Sequence, residues 1–208
     1  LKDGLDPAAN QLVSEQSYEI AGVSVRSQVV NLMNAGVEAV VGACIPPPCA
    51  QFIRDDDRLG WDPEILLSYV NSDPMMFTYS SPELMEGIIS SWPLKQSDWT
   101  DDPAVAEHHR IMDKYGDVVA GNFTIVGQVA GELTVEALSR TCDNLTREGL
   151  MDAVHSIKDY QLDLVLPDLP ISLSPTDHLV AEDMMMLKAT VVDGKGKWEY
   201  FGEIVSFT

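Results

Sequence analysis

The chain has 208 residues, with 33 Asp plus Glu against 13 Lys plus Arg, and a formal net charge of -20. A polyanion of this size is a poor partner for nucleic acid or for an anionic membrane surface. Hydrophobic residues at 45% supply a real core, whereas the apolar runs at residues 39–48 and 184–192 fall short of the roughly 20 residues that cross a bilayer. The chain opens at Leu1 without Met and without the basic-then-apolar pattern of a leader, as expected of a processed or truncated product. Cys44, Cys49 and Cys142 are too few for a disulfide scaffold and wrongly spaced for a zinc ribbon. Cys44 and Cys49 either bridge or sit as two small buried thiols.

Strand-like and helix-like segments alternate along the chain, which is the rhythm of an α/β fold built on parallel sheets. Residues 11–18 read as a strand. Val25, Val29, Leu32 and Met33 then recur at helical spacing over residues 25–35, and Gly36 ends that helix. Residues 39–43 form a short apolar run suited to a buried parallel strand. Prolines open a helix over 47–59 and Gly60 closes it, before a buried strand at 65–67. The loop at 68–74 is polar, carries Tyr69 and follows that strand at its carboxyl end, where ligands of open α/β sheets gather.

A fourth strand is expected at 87–91, followed by an irregular stretch at 92–99 that carries the chain between lobes. Asp102 caps a helix over 103–115, with Gly116 behind it. Two more helices are expected at 123–140 and 147–155. In the tail, strands at 184–192 and 198–206 flank Asp193-Gly194, a hairpin turn.

Candidate catalytic patterns are weak. Residues 55–60 imitate the start of a calcium loop, but Leu59 and Leu66 stand where the fifth and twelfth ligands belong. His108 and His109 are adjacent on a helix, cannot form the paired face of a zinc protease, and read as surface residues. Asp177 and His178 with Ser172 or Ser174 suggest a hydrolytic triad, yet no Gly-x-Ser-x-Gly elbow presents a nucleophile. No phosphate loop is present, and neither cofactor nor metal is expected. Gly127 and Gly131, four apart on a helix, point to close packing there.

Residues 25–41, with Gln28, Val29, Leu32, Ala35, Gly36, Ala39 and Val40, resemble a helix and strand of the periplasmic solute-binding proteins of the branched-chain amino acid type. The likeness continues in order. Residues 47–54 with Leu59-Gly60-Trp61 resemble the family's next helix, residues 64–68 its next strand, and Glu86-Gly87-Ile88 the strand near its lobe crossover. Gly127-Gln128-Val129-Ala130 with Glu136-Ala137-Leu138 resembles its "G-Y-D-A-V…E-A-L" helix, and residues 174–178, Ser-Pro-Thr-Asp-His, its late signature.

This resemblance implies a periplasmic-binding-protein-like I fold, α/β in three layers, with parallel-sheet lobes. Residues 1–92 and 172–208 would build the second lobe, and 93–171 the returning segment of the first. Residues 1–9 resemble the end of the second lobe's first helix, so the opening of the first lobe is expected upstream, or a second chain must complete that lobe.

The resemblance further implies a non-enzymatic component of an ABC-type importer, periplasmic or tethered outside the cell. It would close two lobes around a small polar solute, an amino acid or related carboxylate or amide, and deliver it to the permease subunits. A ligand-sensing domain of the same fold is the alternative. Solute contacts are expected from Ile45, Tyr69, Asn71 and Ser72, and from Phe123 and Gln128 at the head of the Gly127 helix. Amino-acid-binding members place an acid in the second loop, whereas here the nearest acid is Asp73. Gln128 stands where the family usually has an aromatic.

Overall fold

The computed structural model describes residues 6, 8, 10–22 and 24–206. The expected helix end at 1–9 therefore lies outside the described residues, apart from Asp6 and Ala8. The chain divides into two compact units, Leu1–Ser90 with Leu187–Glu199 and Ser91–Met186 with Tyr200–Thr208. It passes from one to the other at 90/91, 186/187 and 199/200.

The first unit is an α/β layer. Helix α1 (Arg26–Asn34) leads into β1 (Ala39–Gly42), α2 (Pro46–Leu59) into β2 (Glu64–Leu67), and short helices α3 (Met75–Tyr79) and α4 (Pro82–Met85) into β3 (Ile89–Trp92). β1 pairs parallel to β2 in the register Ala39 to Glu64 through Gly42 to Leu67, and β2 parallel to β3 at Leu66 and Ile89. The strand order continues through β4 (Asp183–Val192) and β5 (Lys195–Ser206). Asp193 and Gly194 turn the hairpin with φ of 51° and 74°, the left-handed pair that a two-residue loop between twisted strands requires.

α2 starts on three prolines and stops at Gly60, whose φ of 64° would strain any residue with a Cβ. It buries Ala50 and Ile53 beside Val29 of α1, while Met76, Met85, Leu187 and Ala189 fill the remaining core. β1 is an edge strand with Val41 half exposed, so the expected burial fails there for want of an outer neighbour. Residues 11–18 form no strand. Their alternation finds no ladder, and Leu12 and Val13 stay exposed.

In the second unit α5 (Pro103–Tyr115) begins where Asp102 Oδ1 accepts the N–H groups of Ala104 and Val105. α6 (Asn122–Arg140) and α7 (Arg147–His155) follow. Residues 157–173 carry little regular structure but supply much of the core, including Ile157, Leu164, Val165, Ile171 and Leu173, anchored by bridges from Leu94 to Val165 and from Tyr160 to Ile171. α6 buries Ile125, Val129 and Ala137 on one face. Its opposite face leaves Phe123, Val126, Val135 and Leu138 exposed, and a Cβ on Gly127 or Gly131 would meet no heavy atom within 4 Å. The expected close packing at those glycines does not occur. Among the described residues no helix is long and apolar enough to cross a membrane.

Candidate functional site

Because β1 and β2 are parallel and in register, the loops that follow them leave the sheet at the same edge. The first runs into Cys44, which forms a disulfide with Cys49 in the first turn of α2. Of the two sequence alternatives, the bridge is therefore the one realised. Gly42 sits against it: an added Cβ would come within 2.9 Å of Leu67 Cδ2 and 3.4 Å of Cys44 Sγ. The second loop winds into a single 3-10 turn, Tyr69–Asn71.

Asn71 joins the two loops, its Nδ2 donating to the Cys44 carbonyl at 2.7 Å. Ser72 Oγ donates back to the Tyr69 carbonyl at 2.7 Å. Both residues were expected at the solute, yet both are fully buried and engage their own loop frame. A polar residue in a tight turn serves first to satisfy the turn's own backbone. Tyr69 and Ile45, also expected, are 49% and 37% exposed, and Ile45 donates its N–H to the Tyr18 hydroxyl at 3.0 Å. The surface at this edge is thus aromatic and apolar, set on a polar, cross-braced frame. Asp73 does not present a free carboxylate: it is buried, and Oδ1 accepts the Met75 N–H at 2.8 Å at the head of α3.

In the second unit Phe123 lies 42% exposed on the first turn of α6. Gln128, one turn on, is half-buried and committed within its own unit. Its Nε2 donates to Glu132 Oε1 at 2.7 Å, which leaves Oε1 to accept from His108 Nδ1–H at 2.7 Å. His108 Nε2 lies 2.8 Å from Thr124 Oγ1. His108 is fully buried, not a surface residue, because α5 turns it onto α6 while His109, a hundred degrees round the helix, donates to the Ser97 carbonyl. The hydroxyl and amide at positions 124 and 128, one turn apart, were the sequence signal for that buried partner.

The residues weighed as a hydrolytic triad are engaged elsewhere. His178 Nε2 meets His155 Nε2 at 3.0 Å, Ser174 Oγ contacts Thr176 Oγ1, and Asp177 Oδ1 accepts the Leu179 N–H. Among the described residues no three His, Cys, Asp or Glu side chains converge on a metal-sized site.

These features define an open α/β fold of the periplasmic-binding-protein-like I class, with a candidate loop site at the carboxyl edge of parallel strands. Residues 4–197 match the family of periplasmic binding proteins, and the chain belongs to that family. No curated protein sequence matches it. A branched chain amino acid ABC transporter structure from Thermus thermophilus with bound valine is similar over 92% of this chain and 52% of its own, at 20% identity and a TM-score of 0.77. A fatty acid ABC transporter substrate-binding protein from Thermomonospora curvata is similar over 87% and 47%, at 22% identity and 0.72. A leucine binding protein from Thermotoga maritima is similar over 91% and 51%, at 15% identity and 0.67. The chain spans about half the length of these structures.

Proposed function

We propose that the protein is the extracytoplasmic solute-binding component of an ABC-type importer, partnered by permease subunits and taking a small carboxylate or amide with an apolar body. The observation that carries this reading is the family match over 4–197, joined to the likeness to solute-binding structures from transporters. In the first unit Tyr69 and Ile45 would touch the solute, with Asn71 and Ser72 positioning them from below. In the second unit the candidates are Phe123, exposed, and Gln128, held by His108.

Two features favour a carboxylate or amide over an α-amino acid. Asp73, the acid nearest the second loop, spends an oxygen on the α3 backbone, which leaves no open carboxylate there for an ammonium. The exposed groups of the same edge are a phenol and an aliphatic side chain, suited to an apolar body.

The test is thermal unfolding of the chain against amino acids, short carboxylates, amides and fatty acids. A ligand at about 100 times its Kd stabilises by about 2.7 kcal/mol. Stabilisation by carboxylates or amides supports the reading; stabilisation by α-amino acids alone would replace the solute class.

A further inference from the structure

His155 and His178 belong to the same unit and bring their Nε2 atoms to 3.0 Å, with ring planes 7° apart and ring centroids 5.1 Å apart. The centroid separation exceeds the nitrogen separation by nearly twice the ring radius, so both nitrogens lie on the facing edges of the two rings. With the planes nearly parallel, the rings meet edge to edge through their Nε2 atoms, not face over face. In the neutral pair one ring carries its hydrogen on Nε2 and donates to the other, which carries its own on Nδ1.

Each partner is well placed for more than this single hydrogen bond. His155 is the last residue of α7, at the helix end whose dipole favours a cation. His178 is exposed on a loop closed by the Ser174 and Asp177 backbone bridge, and Asp177 braces it through the Leu179 N–H.

We propose that His155 and His178 bind one monovalent d10 metal ion of the Cu(I) or Ag(I) kind, in line between their Nε2 atoms. Three observations select this class. Imidazole nitrogen is a good ligand for copper. The described residues bring no third His, Cys, Asp or Glu into a common metal site, so the protein offers two donors and not the three or four that zinc takes from protein. The two Nε2 atoms already face each other at 3.0 Å, the placement that two-coordination of a single ion starts from. Metal–imidazole bonds near about 2 Å need the nitrogens about 4 Å apart, an opening of about 1 Å that an exposed loop histidine can supply. On binding, the ring that holds its hydrogen on Nε2 moves it to Nδ1, so the neutral pair takes the ion without net proton release.

The experiment titrates Ag+, which leaves the Cys44–Cys49 disulfide oxidised, into the full 208-residue chain carrying Cys142→Ser to remove the exposed thiol. Histidine ring nitrogens are followed by NMR. The expected result is that the Nε2 resonances of His155 and His178 move together and saturate at one equivalent, while those of His108 and His109 stay in place. Loss of one of two donors in His178→Gln, with the fold unchanged by circular dichroism, should weaken binding by roughly tenfold or more. Unmoved His155 and His178 resonances in large excess of Ag+, or undiminished binding by His178→Gln, would overturn the proposal. If His155→Gln loosens α7, the exposed His178→Gln variant decides alone.

Discussion

Asn71 donates its side-chain N–H to the Cys44 carbonyl at 2.7 Å, and that one bond ties the loop after β2 to the loop after β1. The brace is fully buried, and the Asn71 Oδ1 on its other side has no hydrogen-bond partner among the described residues. A carbonyl left unpaired in a buried junction costs more than the bond's net contribution. Asn71→Ala is therefore expected to destabilise the chain by about 1–3 kcal/mol, read as a lower urea midpoint at unchanged slope.

The disulfide beside it closes a loop of sequence separation 5. On loop-closure entropy so short a bridge contributes about 2 kcal/mol. Cys44→Ser with Cys49→Ser should lower unfolding stability by that amount, and a reductant should reproduce the effect in the parent chain.

Asp56 lies buried on α2 with its carboxyl pushed up to about 7, first by burial and then by the charges of Asp62 and Asp57. The unfolded chain releases that proton near the ordinary value of 3.8. Between the two values the native state holds more protons, so this contribution to stability is full below about pH 4 and is lost as pH rises through about 7. Urea midpoints taken at about pH 5 and about pH 8 should fall with rising pH in the parent and fall less in Asp56→Asn.

Two helical glycines should respond with opposite sign. A Cβ on Gly149 would stand 2.2 Å from the Asn144 carbonyl, behind the Thr146 cap of α7. Gly149→Ala is expected to cost about 1–3 kcal/mol. On α6, Gly127 faces open space, and Gly127→Ala should stabilise by about 1 kcal/mol through helix propensity. Thermal unfolding of the two variants separates them.

Much of this fold was legible in the residues themselves. Asp102 before Pro103, the prolines that open α2 and Gly60 after it, and Asp193-Gly194 each fix a local conformation whatever surrounds them. What escaped depends on distant partners. Residues 11–18 alternate as a strand would but have no ladder to join, and α3 and α4 are too short for a helical period to show. His108 and His109 differ only in which side of α5 meets α6. At the candidate loop, residue type alone did not separate exposed Tyr69 and Ile45 from buried Asn71 and Ser72; only the packing does.

Solute binding is tested most directly by thermal unfolding of the parent chain and of Tyr69→Ala against the same panel of carboxylates, amides, amino acids and fatty acids. Tyr69 is half exposed, so its removal should change stability by no more than about 0.5 kcal/mol without ligand. The expected result is a rise in Tm with a carboxylate or amide in the parent, diminished or lost in Tyr69→Ala. An unchanged Tm for the folded parent across the whole panel would contradict solute binding, and an equal rise in both proteins would remove Tyr69 from the site.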